Sequence, residues 1–422
     1  MSEHRRVLLN NFLSLSSLQC ANYVLPLITL PYLVRVLGTE RFGLIAFAQV
    51  FTQWFVMLTD YGFNLSATRE ISIHRGNHAK VSEIFTSVMF IKLGLLILSF
   101  SILCGVVYSV SRFRVDWNVY LLTFGGVIGQ ALFPVWFFQG IERMKYIAVL
   151  NVLSKLVFTF FVFFLIKDVS DYWLVPLINS SGFCISGLLS QIIARKIFGM
   201  RIYWTALRGD SLRKYLYDGF PVFVSLVSST VLYTLPTILI GFVLGYSIAG
   251  IYSLAEKIVT ALKGIIVVLN QTMYPYLARL FSENKRIYFL TWRKFFKLSL
   301  SVSGLLFFFL LMIPQKLVVI VFSEEYILSL TLLKFLAITL VCHSLINSFG
   351  LLGLLVLGRF KQLVYSQVIP GLFFLVLSPF VLKFGGLYVF ILFFIFTEVQ
   401  IVIFRVMYLR RMNFFHFHVV HE

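Results

Sequence analysis

The chain has 422 residues, 59% of them hydrophobic and 13% charged, with a mean hydropathy of +0.92, whereas roughly a quarter of a soluble domain is charged. The net charge of +19 comes from Lys and Arg in short clusters between apolar runs, with no continuous basic domain, so lipid is the expected solvent and no nucleic-acid partner is expected. Cys20, Cys104, Cys184 and Cys342 lie inside apolar runs without metal-ligand spacing, so neither a metal nor a disulfide framework is expected.

A membrane-spanning helix needs about 20 mostly apolar residues. The first such window, 12–34, follows a short basic N-terminus, contains Asn22, Pro26 and Pro31 and lacks a small-residue cleavage site, so it reads as a retained span. The second, 43–66, holds Asp60 deep within it, and the third, 84–109, holds Lys92. The fourth, 118–138, is uncharged; the fifth, 147–166, carries Lys155; the sixth is 173–193. A basic loop from Arg195 to Lys214, with Tyr203 and Trp204, then reads as an amphipathic segment on the membrane surface.

The second set of windows begins with 219–242, which contains Pro221 and Pro236, and 249–274, which contains Glu256, Lys257 and Lys263. It continues with 296–318, 328–355 with Lys334 near its start, 362–382, and 387–408 with Glu398 near the middle. About twelve spans result, divided into a six-helix bundle over 1–200, a linker over 201–218 and a second six-helix bundle over 219–422. The prolines remove helical donors and bend the spans that hold them. His416, His418 and His421 crowd the tail but lack the further ligands that a metal needs.

Twelve spans put both termini on one side, and loop charge identifies it. The segments on the side of the termini, including a tail counted from Arg405, carry 24 Lys and Arg. The opposite loops carry seven: Arg35, Arg41, Arg112, Arg114, Lys167, Lys316 and Lys383. Both termini are therefore expected in the cytoplasm. The outer loops are too short for a folded catalytic domain, and no acid/base cluster is visible, so no enzymatic activity is expected.

An internal repeat supports the division. Val36-Leu37-Gly38 leads through Gly43 to Ala48, and Val243-Leu244-Gly245 leads through Gly250 to Ala255, at an offset of 207. A fainter echo pairs Gln139-Gly140-Ile141-Glu142-Arg143-Met144-Lys145 with Leu357-Gly358-Arg359-Phe360-Lys361 at an offset of 218. Because each half has an even number of spans, the repeats are parallel and related by a pseudo-twofold axis along the membrane normal. Halves of this kind rocking about a central cavity are a known alternating-access design.

The stretch Pro31-Tyr32-Leu33-Val34-Arg35-Val36-Leu37-Gly38 through Gly43, then Asp60-Tyr61-Gly62-Phe63-Asn64 and Ala67-Thr68-Arg69-Glu70, resembles the N-terminal region of Wzx-type flippases. So does Gly250-Ile251-Tyr252-Ser253-Leu254-Ala255-Glu256-Lys257-Ile258. These flippases form the polysaccharide transporter branch of the multidrug/oligosaccharidyl-lipid/polysaccharide (MOP) exporter superfamily. The resemblance implies an all-α MATE/MurJ-like fold, a bacterial inner-membrane location and translocation of undecaprenyl-pyrophosphate-linked O-antigen or related repeat units to the periplasmic leaflet. It also implies a lipid-linked oligosaccharide as the carried partner, with a polysaccharide polymerase and a chain-length regulator as further partners. The additional C-terminal helix pair of MurJ-like lipid II flippases is not expected here. A cation-coupled drug or small-molecule antiporter of the same superfamily is the alternative.

Such a carrier must shelter a pyrophosphate and a hydrated glycan from hydrocarbon, where bare charge is costly, and ionisable residues within spans are the first candidates. Lys92, Lys155, Lys257 and Lys263 are expected as cavity cations, with Arg35 and Arg69 as headgroup partners at the two membrane edges, since Arg binds phosphate oxygens bidentately. Snorkelling to the interface is the competing role for the lysines. Asp60, Glu256 and Glu398 are candidates for coupling to H+ or Na+, no other cofactor being expected; for Asp60 and Glu398 the competing role is a fixed ion pair with an intramembrane lysine. Tyr23, Trp54, Tyr61, Tyr233 and Tyr274 lie near polar or proline-containing positions and are the candidates for stacking on sugars.

Overall fold

In hydrocarbon every backbone amide and carbonyl must find a partner inside the protein, and a chain that is not a closed barrel satisfies this with helices. The computed structural model describes residues 3–201, 203, 209–412 and 414, without the side chains of residues 3–21, Tyr23, Ser225, Ser228 and Ser229; among the described residues there is no strand. The first helix, α1 (Glu3–Asp60), and the last, α14 (Phe360–Arg411), run for 58 and 52 residues, too long for one span each. Each is two helices joined at a glycine: Gly38 at φ 67°, ψ 179° and Gly386 at φ 74°, ψ −174°.

Between them, in chain order, lie α2 (Phe63–Ile73), α3 (His78–Ser109), α4 (Ser111–Val115), α5 (Trp117–Leu132), α6 (Val135–Gly140), α7 (Met144–Leu165) and α8 (Leu174–Lys196). Then follow α9 (Gly209–Val243), α10 (Tyr246–Glu283), α11 (Lys285–Leu311), α12 (Gln315–Val321) and α13 (Ile327–Phe349). Among the described residues, eight stretches are long and apolar enough to cross a membrane, including the two double helices. Both halves of those double helices, together with α9 and α10, bring the reading to the expected twelve spans.

The chain divides into two compact units, Met1–Val227 and Ser228–Glu422, with the division inside α9. In the first unit α5 packs along α8, and α1 against α7 and α5. Small residues make the α5–α8 contact close: a Cβ on Gly129 would sit 2.3 Å from the Phe183 carbonyl carbon, and one on Gly187 would sit 2.5 Å from Gly129 O. Ser180 Oγ donates to Leu122 O at 2.5 Å and Cys184 Sγ to Gly125 O at 3.2 Å across the same seam. Such small-residue seams are how helices approach each other where water provides no driving force between them. In the second unit α13 is the central helix, packed on α10, α11 and α14. Large apolar side chains such as Phe160, Phe164, Leu305 and Phe384 remain exposed, as lipid-facing residues do.

Backbone geometry gives the internal repeat a physical meaning. Gly245, which opens α10, adopts φ 100°, ψ 167°, close to its counterpart Gly38. Positive φ with ψ near 180° is accessible essentially to glycine alone, so V-L-G in each half marks a hinge between consecutive helices. The fainter echo is also present, in a corrected register. Arg143 N donates to Phe138 O, and Arg359 N to Leu354 O, both at 2.8 Å, across the positive-φ residues Glu142 (57°) and Gly358 (70°). Glu142 therefore aligns with Gly358, Arg143 with Arg359 and Lys145 with Lys361. The offset is 216 rather than 218, because the left-handed residue that closes the turn, and not the glycine letter, sets the alignment.

Two expected spans are broken. The helix expected over 43–66 stops at Asp60, where Tyr61 (φ 46°) and Gly62 (φ 81°) turn the chain into α2. The helix expected over 118–138 is interrupted at Phe133-Pro134 before α6. Its counterpart in the second half also ends irregularly, in a π-helical segment over Gly350–Leu355.

The glycine hinges carry a test. Nothing lies within 4 Å of a Cβ built on Gly245 or on Gly304 in α11, so alanine at either probes backbone conformation alone. Gly245→Ala is expected to cost about 1–3 kcal/mol, and Gly304→Ala to be neutral or to add about 0.5–1 kcal/mol. Thermal unfolding of the two purified variants checks this; equal midpoints would contradict the hinge.

Candidate functional site

The break after Asp60 places a carboxylate at the end of a helix, within reach of α3. Lys92 Nζ stands 3.4 Å from Asp60 Oδ1, and Asn64, just past the break, donates its Nδ2 to Asp60 Oδ2. The Lys92 side chain is 3% exposed and that of Asp60 22%. The break is braced by Tyr61, stacked on Phe223 at 4.9 Å and 16°, and by Gly62, where a Cβ would lie 2.7 Å from that of Val222. Beside the pair lies a cavity of about 120 Å³, lined in part by Asp60, Asn64, Lys92, Gln130, Asn151 and Ser186.

The second unit holds an ion pair of its own. Lys263 Nζ of α10 donates to Glu398 Oε1 of α14 at 3.0 Å, with the Glu398 side chain fully buried and that of Lys263 12% exposed. Glu398 Oε2 and both ring nitrogens of His343 are buried without a partner among the described residues. Two turns beyond Glu398, Arg405 is buried and donates to Ser366 Oγ at 3.2 Å, to Gln367 Oε1 at 3.0 Å and to Ile346 O. Gly350 makes room for this guanidinium, since a Cβ there would meet Arg405 Nη1 at 2.1 Å.

These contacts sort the residues expected from sequence. Asp60 and Glu398, candidates for ion coupling, each hold a lysine that was a candidate cavity cation. Lys155 is half-buried with no hydrogen-bond or ion-pair partner among the described residues. Arg35 and Arg69 are exposed. Glu256 accepts from Thr260 Oγ1 at 3.2 Å, and Lys257 beside it is half-buried. Of the aromatic candidates, Trp54 is half-buried with Nε1 unpartnered among the described residues, Tyr233 is exposed, and Tyr274 packs at the margin of an apolar core with Met273 and Leu277. The Tyr23 side chain, Trp204, His416, His418 and His421 lie outside the described residues.

Sequence reasoning assigned Arg405 to a cytoplasmic tail; it is instead an interior residue of the second unit. Its seven-residue spacing from Glu398 puts both on one helix face, and that signal was readable. Gln130, Asn151 and Ser186 are isolated polar residues within apolar windows that carry no signal of their own, and only the fold gathers them around one cavity.

The two pairs differ in solvent access, which predicts different costs. Glu398→Ala strands a buried ammonium and is expected to cost about 3–5 kcal/mol, most of it recovered when Lys263→Met is combined with Glu398→Leu. Asp60→Asn is expected to cost less, because an amide still accepts from Lys92 and the site borders a polar cavity. Unfolding midpoints of the purified variants measure the order; a larger loss at Asp60→Asn than at Glu398→Ala would reverse it.

The polysaccharide biosynthesis protein family matches residues 8–281 of this chain. Two relatives bear the name "Putative O-antigen transporter". That of Escherichia coli (strain K12) is 31% identical over 275 residues, covering 65% of this chain and 66% of the relative. That of Shigella dysenteriae is 26% identical over 400 residues, covering 93% and 98%. Among solved structures, the lipid II flippase MurJ in an inward closed conformation superposes with a TM-score of 0.72 at 14% identity, over 93% of this chain and 87% of MurJ. An inward-facing multidrug resistance MATE family transporter of the MOP superfamily gives 0.70 at 12% identity, over 92% and 95%. The all-α fold expected from sequence is thus the fold of MATE and MurJ transporters. The chain belongs to the polysaccharide biosynthesis protein family, the family of multi-pass membrane transporters to which its Wzx-type motifs pointed.

Proposed function

We propose that the protein is a flippase that carries undecaprenyl-pyrophosphate-linked O-antigen, or a related polysaccharide repeat unit, from the cytoplasmic to the periplasmic leaflet of a bacterial inner membrane. The observation that carries the proposal is the family match over residues 8–281, joined by relatives named for O-antigen transport. The physical support is that polar and charged groups sit inside the helical units rather than at their ends. A glycan and a pyrophosphate cross hydrocarbon only if the protein replaces the hydrogen bonds and counter-charges of water. Asp60, Lys92, Asn64 and Gln130 around one cavity are suited to the first need. Lys155, half-buried and without a carboxylate partner among the described residues, is suited to the second.

The cycle is alternating access, coupled to H+ or Na+. Asp60 is the better coupling candidate of the two paired carboxylates, since it lines a polar cavity and is 22% exposed, whereas the Glu398 side chain is fully buried. Both termini lie in the cytoplasm in this reading, which follows from loop charge. The released lipid-linked unit passes to a polymerase, whose product length a chain-length regulator sets.

Deleting the gene tests the reading in the cell. Loss of surface polysaccharide, with undecaprenyl-linked units accumulating on the cytoplasmic leaflet, is the expected result, and stable Lys155→Ala and Asp60→Asn variants are expected to complement poorly. Normal surface polysaccharide in a strain without a second flippase would instead favour a small-molecule antiporter of the same fold.

A further inference from the structure

We infer that the cavity inside the N-terminal unit is a subsite for a single sugar ring of the carried glycan, a pyranose presenting free hydroxyls; this rests on the flippase reading. Its size sets the first limit. A water takes up about 30 Å³, so a volume of about 120 Å³ holds about four waters. That takes one edge of a six-membered ring with its hydroxyls and excludes a whole repeat unit.

The lining sets the class of ligand. A sugar hydroxyl donates one hydrogen bond and accepts up to two, so its site needs donors and acceptors together. Lys92 supplies a donor, Asp60 an acceptor and the Gln130 amide both. Asn64 adds an unused acceptor: its Nδ2 is committed to Asp60, and its Oδ1 is buried with no partner among the described residues. Asn151 and Ser186 are also held in place, the first donating to Ile147 O at 2.9 Å and the second to Leu150 O at 3.0 Å. Side chains fixed before the ligand arrives lose little entropy on binding.

The remaining wall is apolar in the way a pyranose requires. Phe133 and Phe183 contribute aromatic rings, which suit the C–H faces of a sugar while the amides take its edges. Gly129 keeps Phe183 in position, because α5 and α8 meet there with no room for a Cβ.

Charge excludes the other part of the substrate from this cavity. The ammonium of Lys92 is already balanced by Asp60 at 3.4 Å, so the pair offers a pyrophosphate no net positive charge. The density of amides and charges disfavours a lipid chain or an apolar drug, neither of which can satisfy these groups. One edge of a neutral, hydroxyl-bearing ring matches both the size and the polarity.

The test uses the full chain in nanodiscs of phosphatidylethanolamine and phosphatidylglycerol. The probes are methyl hexopyranosides, methyl 6-deoxyhexopyranosides and methyl N-acetylhexosaminides, read by saturation-transfer NMR. At least one class is expected to bind the wild type and Gly304→Ala alike, and to bind Gln130→Leu and Asn64→Ala about tenfold more weakly, the loss of roughly one well-placed hydrogen bond. Unfolding midpoints identify any variant that fails to fold, and the wild-type measurement stands without the variants. Absence of binding by every class, or equal binding by wild type and both folded variants, would overturn the subsite. Leaflet accumulation in the deletion strain is scored separately: accumulation without glycoside binding leaves the flippase standing and removes the subsite, whereas Gln130-dependent glycoside binding without accumulation, in a strain with no second flippase, removes the flippase and leaves a sugar site that serves no carried glycan.

Discussion

A charged side chain sealed away from water inside a membrane protein needs another group to answer its charge, since an ion stranded there costs several kcal/mol. Each compact unit of this protein meets that constraint with a lysine bound to a carboxylate on another helix: Lys92 with Asp60 in the first, Lys263 with Glu398 in the second. The local structure follows from the need to bring these groups together. In the first unit the helix ends at Asp60 and the chain turns through two positive-φ residues, which frees the carboxylate to meet α3 and lets Asn64 return to it. In the second, the pair lies between regular helices and is sealed. One pair thus borders a polar cavity with its carboxylate 22% exposed, while the carboxylate of the other is fully buried, and that asymmetry separates a site suited to exchange from one suited to holding helices together.

Much of the fold was legible because the bilayer imposes simple rules on sequence. Span length and the V-L-G repeat each have a direct physical cause: hydrocarbon thickness and a glycine-only backbone conformation. Gly38 and Gly245 carried that last signal in plain letters, whereas the Glu142 turn did not, because nothing about a glutamate announces positive φ. The breaks at Asp60 and at Phe133-Pro134 were missed for a related reason. Hydropathy averages over about twenty residues and cannot register a turn of two.

The charged members of the candidate site were legible one by one, and their partners were not. Lys92, Lys263, Asp60 and Glu398 stood out because charges in apolar windows are rare, but which lysine meets which carboxylate depends on helix rotation, and hydropathy carries no rotation. Arg405 shows the limit from the other side: near the end of an apolar window it resembled an ordinary cytoplasmic anchor, while its contacts with Ser366 and Gln367 place it in the interior. Neutral polar residues were the least legible. Gln130, Asn151 and Ser186 acquire meaning only when α5, α7 and α8 converge on one cavity.

The central claim, that these polar interiors carry a lipid-linked glycan through the bilayer, is tested most directly by reconstituting the purified chain in liposomes that contain an undecaprenyl-pyrophosphate-linked oligosaccharide confined to one leaflet. Exposure of the glycan on the opposite leaflet is then followed with a membrane-impermeant lectin. The account predicts protein-dependent exposure of the glycan, slowed when Asp60 is replaced by Asn. Exposure no faster than in protein-free liposomes, under an imposed proton or sodium gradient of either direction, would contradict it.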